Sequence, residues 1–246
     1  MLRHEFECPE RETIDASLLD HVIAIALWML ALLIIDNGIV RRIPKLDSFK
    51  GRTYAIHALA ISVVAYDSFP DVVTVLMHPN CATTGAPRSY MAVQVCTAWH
   101  LYHPLLGMNP SDVFHHVVMA APALCIGLTG SMSVLYNASI FFGCGLPLAL
   151  SEWAQVLVQL GHIKSLTQKR FKSQLYTCIR GPGVIAIGML IYTSKDFGRA
   201  PPWIVCLMAV HTVFNGVYYN HLVNKHYIEQ RVHARFESQG HRLCVQ

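Results

Sequence analysis

Val22-Ile23-Ala24-Ile25-Ala26-Leu27-Trp28-Met29-Leu30-Ala31-Leu32-Leu33-Ile34-Ile35 is an uninterrupted apolar run flanked by Asp20, His21 and Asp36. As a helix it covers about 21 Å, short of the roughly 30 Å of bilayer hydrocarbon, so a span must extend from about Leu18 to Val40 with its flanks in the interface. The residues ahead of it carry Glu5, Glu7, Glu10, Glu12 and Asp15 against Arg3 and Arg11. That acidic leader, residues 1–17, lacks the positive n-region of a secretory signal, so the run is expected to be a retained span.

Six more apolar blocks follow, at about Tyr54 to Leu76, Tyr90 to Leu106, Val113 to Leu128, Val134 to Leu160, Leu175 to Tyr192 and Trp203 to Tyr219. The composition agrees: 53% of the 246 residues are apolar and 14% charged, against about a quarter charged in soluble domains. The expectation is an all-α polytopic membrane bundle or barrel of six or seven transmembrane helices. It occupies residues 18–225 and is followed by a tail, residues 226–246. Several blocks are near the minimum spanning length, and the fourth could be re-entrant.

Basic residues collect in loops on the cytosolic side. Arg41, Arg42, Lys45, Lys50 and Arg52 fill the first loop, and Lys164, Lys169, Arg170 and Lys172 the loop between blocks five and six. With seven spans these fall on one side, together with the tail carrying Lys225, Arg231, Arg235 and Arg242. Lys195 and Arg199 are a mild exception. Parity and charge together predict a lumenal N-terminus and a cytosolic C-terminus. The net charge of +4 follows from loops that meet anionic headgroups, and no nucleic-acid signature is present.

Against this background the run Asn109-Pro110-Ser111-Asp112-Val113-Phe114-His115-His116 is the chemical signal. Ionisable groups at the edge of a bilayer are costly and ask for a use. Asn109 is a candidate N-cap with Pro110 at the first helical position, which sets His115 and His116 near the cytosolic face. Asp112 lies three residues before His115 and four before His116, so its carboxylate can reach either ring. Adjacent residues on an α-helix point about 100° apart, so a division of labour is expected. One imidazole would be general base or acyl carrier and the other would position it. The bland alternative makes Asp112 a helix-dipole charge and the histidines interfacial anchors.

His100 and His103 end the third block and could share that site. Iron hydroxylases and desaturases use histidine clusters, but typically in HxxxH and HxxHH boxes that this chain lacks, so no metal is assigned. Glu152 and Arg180 are charges inside blocks five and six. They could pair, or Arg180 could hold a lipid phosphate or carboxylate. His57, His211, Asn215 and Tyr218 are candidate lining of the same cavity, or plain packing residues. Asp67 and Asp71 are expected to be solvated. Pro182, between Gly181 and Gly183, marks either a bend or a helix start. Cys96, Cys125, Cys144, Cys178 and Cys206 lie in apolar blocks, and of the others only Cys8 and Cys81 share the expected lumenal side, so one disulfide between them is possible.

This order of features resembles the TLC lipid-sensing domain, the membrane domain of ceramide synthases and their non-synthase relatives. The likeness rests on Arg52-Thr53-Tyr54-Ala55-Ile56-His57-Ala58, Asp112 to His116, Leu148-Ala149-Leu150-Ser151-Glu152-Trp153, Cys178-Ile179-Arg180, and the last block around His211, Asn215 and Tyr218. It covers roughly Lys50 to Lys225, and its specific element is Asp-x-x-His-His. The resemblance implies a helical barrel around a lipid cavity open to the cytosol, in the endoplasmic reticulum. For the synthases it implies N-acyl transfer from acyl-CoA as co-substrate, with no bound cofactor and with His115 and His116 at the reacting centre. Glu152 and Arg180 match more loosely. The chain departs from the synthases in offering Glu152 where they carry an aspartate pair, and in having His103-Pro104 where relatives often have an aspartate. A membrane acyltransferase acting on a lipid amine or hydroxyl and a non-catalytic lipid-binding protein both stay open, as does a homodimer.

Overall fold

The computed structural model describes residues 16–79, 82, 86–129, 133–194 and 200–243, with side chains as far as Phe236. The acidic leader up to Asp15, Cys8, Cys81, Lys195 and Arg199 lie outside the described residues. All regular structure among the described residues is helical. The helices are α1 (Leu18–Gly38), α2 (Phe49–Met77), α3 (Met91–Leu106), α4 (Pro110–Leu128), α5 (Val134–Leu160), α6 (Ser165–Thr193) and α7 (Pro202–Leu243). Five of them, α1 with its short extension to Arg42, α2, α4, α5 and α6, are long and apolar enough to cross a membrane. Each helix falls on one of the seven apolar blocks. The last runs unbroken past Lys225, so the tail begins as a continuation of α7.

Local chemistry explains where helices start. Ser17 Oγ accepts the Asp20 N–H at 3.2 Å while the Asp20 carboxylate accepts the Ser17 N–H at 2.8 Å, a reciprocal cap on α1. Gly107 turns the chain between α3 and α4 at a φ of 101°, a backbone state that side chains other than glycine rarely adopt.

Packing closes a ring. α2 lies against α3 and α5, α5 against α6, and α6 against α7. α4 bridges α3 and α7 through the His100–His115 and His115–Tyr219 contacts. α1 stands outside, against α3, and turns most of its apolar surface outward. It is tethered at the basic end by Asp36, which is fully buried, accepts from both Nε and Nη2 of Arg52, and accepts the Tyr102 hydroxyl at 2.7 Å. At the opposite end, where both were expected to be solvated, Asp71 is withdrawn from solvent and Asp67 is part-exposed. Asp71 is fully buried and accepts from Asn137 at 2.7 Å and from the Arg88 N–H at 3.1 Å. Asp67 accepts the Ser89 hydroxyl and the Ala92 N–H. The chain entering α3 hydrogen-bonds both carboxylates and covers Asp71.

Three helices widen locally into π turns, at His115–Ala120 in α4, Phe141–Gly145 in α5 and Tyr176–Arg180 in α6. Each is followed by a proline, Pro122, Pro147 or Pro182, which brings no N–H to the carbonyls one turn back. Pro182 therefore lies inside a continuous helix and is not a helix start. The three wide turns carry the histidine pair, Gly143 and Arg180.

Candidate functional site

α4 delivers both histidines inward. A π turn holds more residues than an α turn, so adjacent side chains diverge less, and His115 and His116 both reach partners inside the ring. His115 Nε2 meets His100 Nε2 at 3.4 Å, and His115 Nδ1 meets the Tyr219 hydroxyl at 2.9 Å. His116 Nε2 meets His103 Nδ1 at 3.0 Å. His100 Nδ1 lies 2.7 Å from the Cys96 carbonyl oxygen. The His100-x-x-His103 spacing on α3 thus answers the adjacent pair on α4, His100 bonding His115 and His103 bonding His116, with the His100 and His116 rings also in edge contact at 4.7 Å.

A second layer backs the first. Trp99 is stacked between two imidazoles, His57 at 4.4 Å and His103 at 5.0 Å between ring centroids, with the planes within 16°. His57 Nδ1 is 3.8 Å from Glu152, and Lys172 Nζ is 3.6 Å from the other oxygen of that carboxylate. Glu152 and Arg180 therefore do not pair with each other. Arg180, 4% exposed, donates through Nε to the Gly143 carbonyl and through Nη2 to Asn215 Oδ1, both at 2.7 Å. Its guanidinium lies over the Tyr176 and Tyr219 rings, at 4.7 and 5.2 Å from their centroids.

Asp112 is used elsewhere. Its carboxylate accepts the Asn109 N–H at 3.0 Å while Asn109 Oδ1 accepts the Asp112 N–H, so it closes the cap of α4. Tyr218 stacks on Phe214 and lies tilted against Phe114, outside the histidine contacts. The residue that meets His115 is its neighbour Tyr219. Spacing alone does not separate the two: Tyr218 lies three residues after Asn215 and seven after His211, Tyr219 four and eight, so both stand on that side of α7.

Two cavities meet at the histidines. An apolar one of about 90 Å³ is walled by Met119, Leu124, Ile140 and Met208, and its polar edge includes His100, His115, His211 and Asn215. A polar one of about 260 Å³ is lined by His57, Trp99, His103, Asp112, His115, His116 and Glu152. His115 lines both. The polar cavity shares Lys50, Tyr54 and Glu152 with an outer cavity of about 500 Å³ at the basic end, which also carries Lys169, Lys172 and His226. Among the described residues no group of three or more His, Cys, Asp or Glu side chains is arranged to hold a metal ion.

No family model matches the chain, and neither does any curated protein or solved structure. What the site can do is therefore argued from its own geometry. Imidazoles between a polar chamber and an apolar one can move protons where an amphiphile would have its reactive junction. The ammonium groups of Lys50 and Lys169 at the outer mouth attract anions.

Proposed function

We propose that the protein is a membrane acyltransferase of the endoplasmic reticulum that passes an acyl group from acyl-CoA to a lipid amine or hydroxyl. The observation that carries this reading is the position of His115, which lines both the polar chamber that leads to the basic mouth and the apolar cavity inside the ring. Six or seven spans, a lumenal N-terminus and a cytosolic basic end put that mouth within reach of a soluble donor. Lysines 50, 169 and 172 suit its phosphates, the imidazoles suit the thioester, and the apolar cavity suits the adjoining carbons. An imidazole takes the proton of the acceptor as its nitrogen or oxygen attacks the thioester carbonyl. The C–S bond then breaks and the departing thiolate receives a proton. Likeness to the TLC domain, through Asp112 to His116, supports the same reading.

A non-catalytic lipid-binding protein that tunes membrane composition is the second reading. It is favoured by the mutual engagement of the four imidazoles and by the use of Asp112 as a cap. Purified protein in lipid nanodiscs, incubated with radiolabelled acyl-CoA and a panel of lipid amines and alcohols, separates the two. Product formation lost in His115→Ala and in His116→Ala supports the enzyme. Intact lipid binding with no turnover on any acceptor supports the second reading.

A further inference from the structure

The hydrogen bonds around His115 have a direction. The Cys96 carbonyl oxygen, 2.7 Å from His100 Nδ1, can only accept, so the proton of His100 sits on Nδ1. A neutral His100 then presents a bare Nε2, and the atom facing it, His115 Nε2, carries the hydrogen. The reverse assignment would need His100 to be cationic in a wall shared with Met119, Ala120 and Leu124, where an uncompensated charge is costly. The His115 nitrogen whose proton can come and go is therefore Nδ1. It faces one group, the Tyr219 hydroxyl, at 2.9 Å.

A phenol can donate to a neutral imidazole and accept from an imidazolium by rotating its O–H. Tyr219 is set for both. Its ring stands nearly perpendicular to His115, at 86°, lies under the Arg180 guanidinium, and is half-buried, not sealed.

We propose that Tyr219 is the group through which His115 exchanges its proton, a step that rests on the acyl-transfer reading above. The proton leaving the acceptor moves onto the Tyr219 oxygen while the phenolic proton moves onto His115 Nδ1. Tyr219 stays neutral and His115 becomes an imidazolium with N–H groups at both nitrogens, the Nε2–H still held by His100. The reverse transfer returns a proton to the departing thiolate.

Histidine-selective ¹⁵N spectra of the whole protein in nanodiscs read the tautomers directly, with His100→Gln and His115→Gln providing assignments. His100 is expected in the Nδ1–H form, and His115 is expected to keep Nε2–H at every pH while only its Nδ1 titrates. Tyr219→Phe should move the His115 Nδ1 resonance, lower kcat about a hundredfold, and leave the KM for acyl-CoA unchanged. A neutral His115 found as the Nδ1–H tautomer, or a Tyr219→Phe protein with wild-type kcat, overturns the proposal. Should the wild type turn over no acceptor at all, the acyl-transfer reading fails. The spectra then decide the relay alone, and a His115 Nδ1 resonance unmoved by Tyr219→Phe overturns it.

Discussion

Arg180 donates through Nε to the carbonyl oxygen of Gly143 at 2.7 Å, tying α6 to the π turn of α5. Pro147 supplies no N–H to the carbonyls one turn before it, so this oxygen is open to a side chain. The second arm of the guanidinium is held by Asn215 of α7, so one cation pins three helices. Asn215→Leu leaves a buried charged donor unmatched and is expected to cost about 1–3 kcal/mol. Arg180→Met added to it should return part of that loss, because the unmatched group goes with the charge. Thermal unfolding of both variants in the same detergent checks the order: the double variant should melt above Asn215→Leu.

Asp36 holds α1 to the ring through Arg52 and Tyr102. Tyr102→Phe removes a hydrogen bond to a charged carboxylate and should cost about 1.5–3 kcal/mol. Asp36→Ala strands the guanidinium of Arg52, which is part-exposed, so its cost should fall near the lower end of about 3–5 kcal/mol. α1 buries little else besides His21 and Leu32, and limited proteolysis should cut near Asn37 faster in Asp36→Ala than in Tyr102→Phe. Equal cutting in both would show that the carboxylate is not the tether.

The helices were legible because an apolar run is a local property, but their ends were not all so: α6 begins at Ser165, turning the basic segment read as a loop into helix, and α7 runs past Tyr219 to Leu243. What joins distant residues was not legible. The π turns that bring His115 and His116 inward depend on the ring, and an α-helical spacing of about 100° predicted that the two would diverge. Glu152 and Arg180 could be seen as buried charges, but their partners, Lys172 and His57 for one and Gly143 and Asn215 for the other, are fixed by packing. The reach from Asp112 to the histidines is a helix-surface argument. It lost to a competitor at equal spacing on the other side, the N–H of the N-cap Asn109 three residues back. Asp71 is buried against expectation because position at a helix end says nothing of the loop that covers it.

The basic mouth offers a functional test. Lys50 and Lys169 line the outer cavity without a carboxylate partner among the described residues, whereas Lys172 is matched to Glu152. If the mouth receives the phosphates of acyl-CoA, Lys50→Glu and Lys169→Glu should each raise the KM for the donor about tenfold, with kcat little changed. The effect should shrink as salt rises, since exposed charges are screened. Initial rates at low and high ionic strength measure this; an unchanged KM in both variants excludes the mouth as the donor site.

Gly216 of α7 faces Val184 of α6 so closely that a Cβ built on it would lie 1.9 Å from Val184 Cγ2 and 3.0 Å from Val184 Cβ. Small residues at such crossings let helix backbones approach in lipid, where packing replaces the hydrophobic drive. Gly216→Ala must turn the Val184 side chain or push α6 and α7 apart beside the apolar cavity that Val184 lines, and should cost about 1–3 kcal/mol through overpacking. Gly38→Ala meets nothing within 4 Å and should unfold like the wild type. Val184→Ala removes the methyl group in the way, so the double variant Gly216→Ala/Val184→Ala should be more stable than the sum of the single losses, a coupling expected only for residues in contact. Additive losses in a thermal-shift double-mutant cycle would mean that the two helices do not cross at this pair.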